Sequence, residues 1–291
     1  MRRRLALAAV AALLAAPVAT APLMHWPDLL NRPQPKPDAS IAYGADPLQH
    51  VDLWLPKKAG THPVVLMVHG GCWQTEIAKA DIMNWIADDL RKRDIAVWNV
   101  EYRGIDQPGG GYPGTFLDVA RGADLLETEA RKYHLRADRI VAVGHSAGGH
   151  LVLWLAARGS LTKASPLFMP HPLKLSAAIS LGGLPDLEAD TVPPANTCDN
   201  APIPGLIGKP SASHPDVYAD TSPAAMPDPA IPVTQVNATL DRIALPIVAT
   251  NYAKKRKAHR VTIADEGHVE LITPGTKSWA ATVRLIEEAS R

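Results

Sequence analysis

Three side chains far apart in the sequence are of the types that together cleave an acyl bond. Ser146 lies in VGHSAGGH, a G-x-S-x-G run between an apolar strand-like stretch and an apolar helix-like stretch. A serine on so sharp a strand-to-helix turn projects its hydroxyl from the sheet edge. Gly144 and Gly148 lack the Cβ atoms that would collide there. A serine hydroxyl is a weak nucleophile, so it needs a base, and the base needs an acid to orient it. His268, in DEGH, follows the last predicted strand, and Asp241, in NATLDR, follows the one before. Both fall at C-terminal strand ends, where ligands gather in an open α/β sheet. The chain order Ser146, Asp241, His268 is nucleophile, acid, base. Asp186, after the preceding strand, and Asp265 and Glu266, beside the histidine, are competing acids.

A second motif, HGGCW at 69–73, directly follows an apolar strand. A glycine-rich turn there lets backbone N–H groups point at the space above the serine. With the N–H of Ala147 they can hold the oxyanion of a tetrahedral intermediate. His69 is read as holding this loop by hydrogen bonds. His145 and His150 flank the serine, and His145 is a candidate substrate contact. Cys72 as a thiolate nucleophile would compete with a complete serine constellation and is set aside. Cys72 and Cys198 could pair in an exported protein, but two free thiols are the expectation. No spacing of His, Cys or carboxylates suggests a metal, and DQPGGG at 106–111 lacks the Lys-Ser/Thr of a phosphate cradle. The KKRK run at 254–257 reads as a solvated helix end.

These residues need elements to position them. Residues 41–43 and 51–55 nearly alternate and suit half-exposed antiparallel strands, whereas VVLMV at 64–68 suits a strand buried on both faces. Helical patterns at 77–92, 116–133, 147–157, 245–255 and 277–290 then alternate with strand patterns at 95–100, 139–143, 176–181, 233–236 and 260–263. Such alternation implies right-handed crossovers: an α/β class, mostly parallel twisted sheet with helices on both faces. No internal repeat is visible.

Composition narrows the function classes. With 30 Lys plus Arg against 29 Asp plus Glu, the formal charge is +1, which excludes a strongly basic nucleic-acid binder. Two cysteines make neither a disulfide framework nor a four-thiolate zinc site. The 27 prolines among 291 residues are almost twice the usual ~5%. They cluster in two places. One is an arm at 22–40; the other is a stretch at 187–232, read as a cap that shapes the acyl pocket. Ahead of the arm, three arginines precede an uncharged run from residue 5 to 16, the pattern of a signal peptide within 1–21. Pro22 is a poor residue to cut before, so an uncleaved N-terminal anchor, and with it a membrane contact, stays open. The expectation is export, to a periplasm or the medium.

The stretches YGADPLQHVDLWLP, HGGCW, VEYRG, GHSAGGH, TLDRI and EGHVELITPGT resemble the α/β-hydrolase superfamily, in particular its kynurenine formamidase-like and bacterial carboxylesterase branch. The resemblance covers about 41–276, within a hydrolase domain at 41–291. It implies Ser146 as nucleophile, Asp241 as acid and His268 as base. The related lipase branch reads HGGG, which implies oxyanion donors at Gly71 and Cys72 beside Ala147, with Trp73 walling the acyl pocket. Cysteine departs from that pattern, but a backbone N–H is indifferent to its side chain. The leading expectation is ester hydrolysis through an acyl-enzyme, with no cofactor and a small-molecule ester or amide as the partner. Hydrolysis of an N-formyl aromatic amine is the alternative, and a non-catalytic binding module of the same fold is a third.

Overall fold

The structure, a computed structural model, describes residues 22–192, 198, 202–212 and 214–291. The expected signal segment at 1–21 lies outside them. Eight strands form one sheet: β1 (Ala39–Ala42), β2 (His50–Trp54), β3 (His62–Val68), β4 (Ala96–Val100), β5 (Leu135–His145), β6 (Ala177–Leu181), β7 (Val233–Ala238) and β8 (His259–Ile263). Their spatial order is β1-β2-β4-β3-β5-β6-β7-β8. The β1–β2 and β2–β4 pairs are antiparallel and all others parallel. This is the mostly parallel sheet that the alternating pattern predicts.

The side-chain period of two explains the two faces. Val64, Leu66 and Val68 of β3, with Ile140 and Ala142 of β5, pack on one side, while Val65, Met67, Val141 and Val143 pack on the other. Helices α3 (Gly114–Glu129) and α4 (Ala147–Ala157) cover the first side through Phe116, Val119, Leu151 and Trp154. Helices α2 (Asn84–Arg91) and α7 (Lys277–Ala289) cover the second through Ile86, Leu90, Trp279 and Ile286. Every residue of α4 except Ala156 is buried, as expected of a helix whose sequence is apolar all round apart from His150. The helix expected at 77–92 becomes α2 preceded by a tighter turn at Ala80–Met83. The backbone N–H of Ala80 is taken by Glu101 Oε2 at 2.8 Å, which fixes the chain before α2 begins.

The two proline-rich segments differ from expectation. The arm is not a bare linker: it contains α1 (Trp26–Leu30), with proline in its first turn and Asp28 Oδ2 accepting the His25 N–H at 2.7 Å. Leu29 is fully buried in the core on the α2 side. Pro33 and Pro35 carbonyls accept from Trp85 Nε1 and Asn84 Nδ2, each at 3.1 Å. The 187–232 stretch holds the short helix α5 (Ile203–Ile207), whose Ile203 and Leu206 join the core beside α3. The Asp220 and Thr221 carbonyls accept from Trp154 Nε1 and His150 Nε2, both at 2.8 Å, so this stretch is packed onto α4. The remaining helix, α6 (Pro246–Lys255), lies between β7 and β8 in sequence.

Candidate active site

Four parallel strands end on one edge of the sheet, and each delivers a site residue just beyond its end. Val68 of β3 pairs with Gly144 of β5, and Ala238 of β7 with Ile263 of β8. The chain leaves β5 at His145 and enters α4 at Ala147. Ser146 must make the whole turn. Its φ of +54° and ψ of −121° lie where L-residues rarely sit, and its N–H is held by the Leu181 carbonyl at 2.8 Å. A Cβ on Gly144 would meet the Gly148 carbonyl, and one on Gly148 would meet the Val68 and His69 carbonyls. Only glycines let α4 come this close to β3. Ala147 is the first residue of α4, so its N–H has no acceptor within the helix and stands at the positive end of the helix dipole.

Asp241 and His268 meet. His268 Nδ1 donates to Asp241 Oδ2 at 2.7 Å, and both side chains are almost entirely buried. Asp241 Oδ1 accepts from the N–H groups of Ile243 and Ala244, each at 2.8 Å, which fixes the carboxylate. Two of the competing acids, Asp186 and Glu266, are engaged elsewhere. Asp186 pairs with Lys255 at 2.6 Å, and Glu266 accepts from the N–H groups of Lys277 and Ser278, each at 2.8 Å, at the start of α7. Asp265 sits in a left-handed turn, its N–H on Thr239 Oγ1.

Ser146 and His268 line one cavity of about 310 Å³. Its other walls are Gly71, Cys72, His145, Trp26, Leu30, Ile77, Ala78, Ile82 and Ile243. The HGGCW loop after β3 is bent by positive φ at Gly71 (+105°), Cys72 (+49°) and Trp73 (+57°). His69 holds the loop as expected: its ring faces the Gly70 carbonyl at 2.7 Å and Glu101 Oε1 at 2.9 Å, and stacks on Tyr102. Burial would raise the Glu101 pKa, but His69 and the N–H groups of Ala80 and Tyr102 outweigh it and hold the carboxyl below its ordinary value. His145 Nε2 meets the His268 carbonyl at 3.2 Å; a carbonyl only accepts, so this nitrogen carries the proton. Burial, then the neighbouring His268, lower the His145 pKa well below the ordinary histidine value, so the ring stays neutral beside His268.

Two expectations are corrected. Trp73 does not wall the cavity: it is fully buried, and its indole N–H donates to His150 Nδ1 at 3.2 Å. The consecutive left-handed residues turn it into the core, where His150 is its acceptor. Cys72 and Cys198 are not free thiols but a disulfide, with Cα atoms 5.8 Å apart. It ties the HGGCW loop to the 187–232 stretch. That bond is this stretch's link to the cavity among the described residues; the apolar wall comes instead from the arm, through Trp26 and Leu30. Sequence reading missed both arm residues, as well as Glu101 and Glu270. The two glutamates carry no signal beyond the quoted stretches: Glu101 falls in VEYRG just past β4, and Glu270, which accepts the Met24 N–H of the arm, falls in EGHVELITPGT. Among the described residues no group of three or more His, Cys, Asp or Glu side chains could hold a metal ion.

Comparison with known proteins agrees with this architecture. The sequence model of the BD-FAE family matches residues 51–244. A probable isoprenylcysteine alpha-carbonyl methylesterase, ICMEL1 of Arabidopsis thaliana, is 34% identical over 113 residues, 38% of this chain and 23% of that protein. The chain thus spans about a quarter of the length of the methylesterases it matches. The kynurenine formamidase avaC of Aspergillus versicolor is 31% identical over 133 residues, 42% of this chain and 44% of that one. Among solved structures, esterase B from Lactobacillus rhamnosis superposes with a TM-score of 0.73 at 16% identity, over 89% of each chain. The likeness to esterase B is one of fold: the α/β-hydrolase fold.

Proposed function

We propose that this chain, which belongs to the BD-FAE family of α/β-hydrolase proteins, hydrolyses a carboxylic ester through an acyl-enzyme on Ser146. The carrying observation is the 2.7 Å Asp241–His268 pair, whose histidine shares one cavity with a strained serine at a helix N-terminus. His268 removes the Ser146 hydroxyl proton as Oγ attacks the carbonyl carbon. The oxyanion is held by the N–H groups of Gly71, Cys72 and Ala147. Each such donor is worth roughly 3–4 kcal/mol of barrier in other enzymes. Asp241 holds the imidazolium while it forms. His268 then gives its proton to the departing alcohol oxygen and takes one from water; the hydroxide so formed attacks the acyl carbon, and His268 passes that proton to Ser146 Oγ as the acid leaves.

The formamidase relative favours a second reading, cleavage of a formamide C–N bond. The cavity argues against an amino-acid substrate, because no Lys, Arg, Asp or Glu lines it among the described residues. We also propose export: the leader-like sequence supports it, and a disulfide persists in oxidising compartments. Labelling fractionated cells with a fluorophosphonate tests function and location together. The label should sit on Ser146, in the exported fraction, and vanish in Ser146→Ala. Label retained in Ser146→Ala overturns the nucleophile, and label confined to the cytosol overturns export. Turnover of N-formylkynurenine about tenfold or more above short p-nitrophenyl esters would replace the ester reading with the amide one.

A further inference from the structure

We propose that helix α1 of the arm supplies the leaving-group subsite: Trp26 and Leu30 receive the alcohol part of a neutral, compact ester. The inference rests on the ester-hydrolase reading above. His268 must hand its proton to the departing oxygen, so the alcohol lies on the His268 side of the cavity. Trp26 stands on that side. Its ring is edge-on to His268 and to His145, both at 6.2 Å between centroids. Leu30, 49% exposed, and Ile77, 59% exposed, line the same cavity and are its most open apolar side chains. The alcohol leaves first while the acyl group stays on Ser146, so its path runs past the open wall that Leu30 and Ile77 form.

The lining defines what fits. Trp26, Leu30 and Ile243 offer apolar surface, and with no charged side chain among the described lining residues a charged alcohol would lose its hydration without a partner. A volume of about 310 Å³ is at the small end of the ~300–1,000 Å³ of small-molecule sites. An aromatic side chain in the lining further suits an aryl alcohol.

The wall is also fixed in place. Glu270 Oε1 accepts the Met24 N–H at 2.7 Å and Oε2 accepts the Gly267 N–H at 3.1 Å. One buried carboxylate therefore joins the arm to the residue preceding His268. Buried Leu29 pins the same helix from below. A wall so held is preorganised for its ligand.

Two ester series on the full chain test this: acetates of methanol, phenol and 2-naphthol, and p-nitrophenyl esters from acetyl to octanoyl. Trp26→Ala should lower the phenyl-to-methyl ratio of kcat/KM by about fivefold or more, mainly through KM, and leave the acyl-length ranking unchanged. Trp26 is only half-buried, so the change should not unfold the chain. Leu30→Trp should act separately, narrowing the opening and depressing 2-naphthyl acetate most. A shift in acyl-length preference in either variant, or a uniform fall across both series, overturns the subsite while leaving the ester reading intact. A wild-type chain that cleaves neither series removes the ester reading and the subsite with it.

Discussion

A carboxylate can orient a histidine only if its own position is settled. Asp241 meets this condition: two backbone N–H groups hold Oδ1, so Oδ2 is free to receive the imidazole N–H. Asp241→Asn keeps the shape but can turn an amide N–H toward His268 Nδ1, which favours the wrong tautomer. The same change in another serine hydrolase lowered kcat ~10⁴-fold, and a fall of that order is expected here. Asp186→Asn weakens the pair with half-exposed Lys255, can keep the Ala189 N–H on its remaining oxygen and removes a charge that acts on Asp190; it should leave kcat near wild type. If rates on p-nitrophenyl acetate show the two variants reversed, the acid is Asp186. Ser146, His268 and Asp241 could be singled out in the sequence because a tight turn needs glycines on both sides and strand ends mark the rest. Glu101 and Glu270 could not. Glu101 is read only through the folding back of His69 and Ala80 onto it, and Glu270 only through the approach of Met24, 246 residues away.

At the scale of elements, periodicity tracks burial faithfully where a strand or helix is covered on a defined face. Helix α4 begins and ends where its apolar run does, and β3 alternates between two cores. The proline-rich segments have no period, so their docking follows from tertiary partners that the linear pattern cannot show. The arm folds onto the α2 side because Leu29 and two carbonyls find partners there. The pairing of Cys72 with Cys198, open in the sequence but less expected than free thiols, likewise has no linear signal to favour it across 126 residues. Closing so long a loop removes much unfolded-state freedom; the chain-entropy picture gives about 4–5 kcal/mol, and native disulfides typically contribute 2–5 kcal/mol. The Cys72→Ser/Cys198→Ser chain should therefore melt on the order of 10 °C lower. Its kcat should also fall, since the Cys72 N–H loses its tether to the 187–232 stretch, while phenyl-to-methyl acetate selectivity stays, since Trp26 and Leu30 are untouched. An unchanged Tm would show that the loop is held by His69 and Glu101 alone.

For the whole molecule, buried ionisable groups set opposing limits on pH stability. Burial brings His150 down to about 4, against an ordinary 6.5, with only partial relief from its bond to the Thr221 carbonyl. The unfolded chain binds this proton more readily, so His150 contributes stability above pH 6.5 that is lost as pH falls toward 4. Asp190 runs the other way. Burial, then the charge of Asp186, push it up from 3.8 to about 8. Its folded form favours the neutral acid, so its contribution is complete below pH 3.8 and is lost as pH rises toward 8. Between about pH 4 and 6.5 the two slopes oppose and nearly cancel, so these groups leave stability flat there and lower it from pH 6.5 to 8, where Asp190 acts alone. Asp190→Asn removes the second slope while keeping size and polarity. Relative to wild type its Tm should be nearly unchanged at pH 4 and progressively higher up to pH 8, a gain on the order of a few kcal/mol. With Asp190 gone the His150 slope is uncovered, so the variant should gain stability from pH 4 to 6.5 where the wild type stays flat. Melting curves from pH 4 to 8 decide the matter: a constant offset between the two chains would mean that Asp190 is already ionised throughout, with its charge met inside the fold.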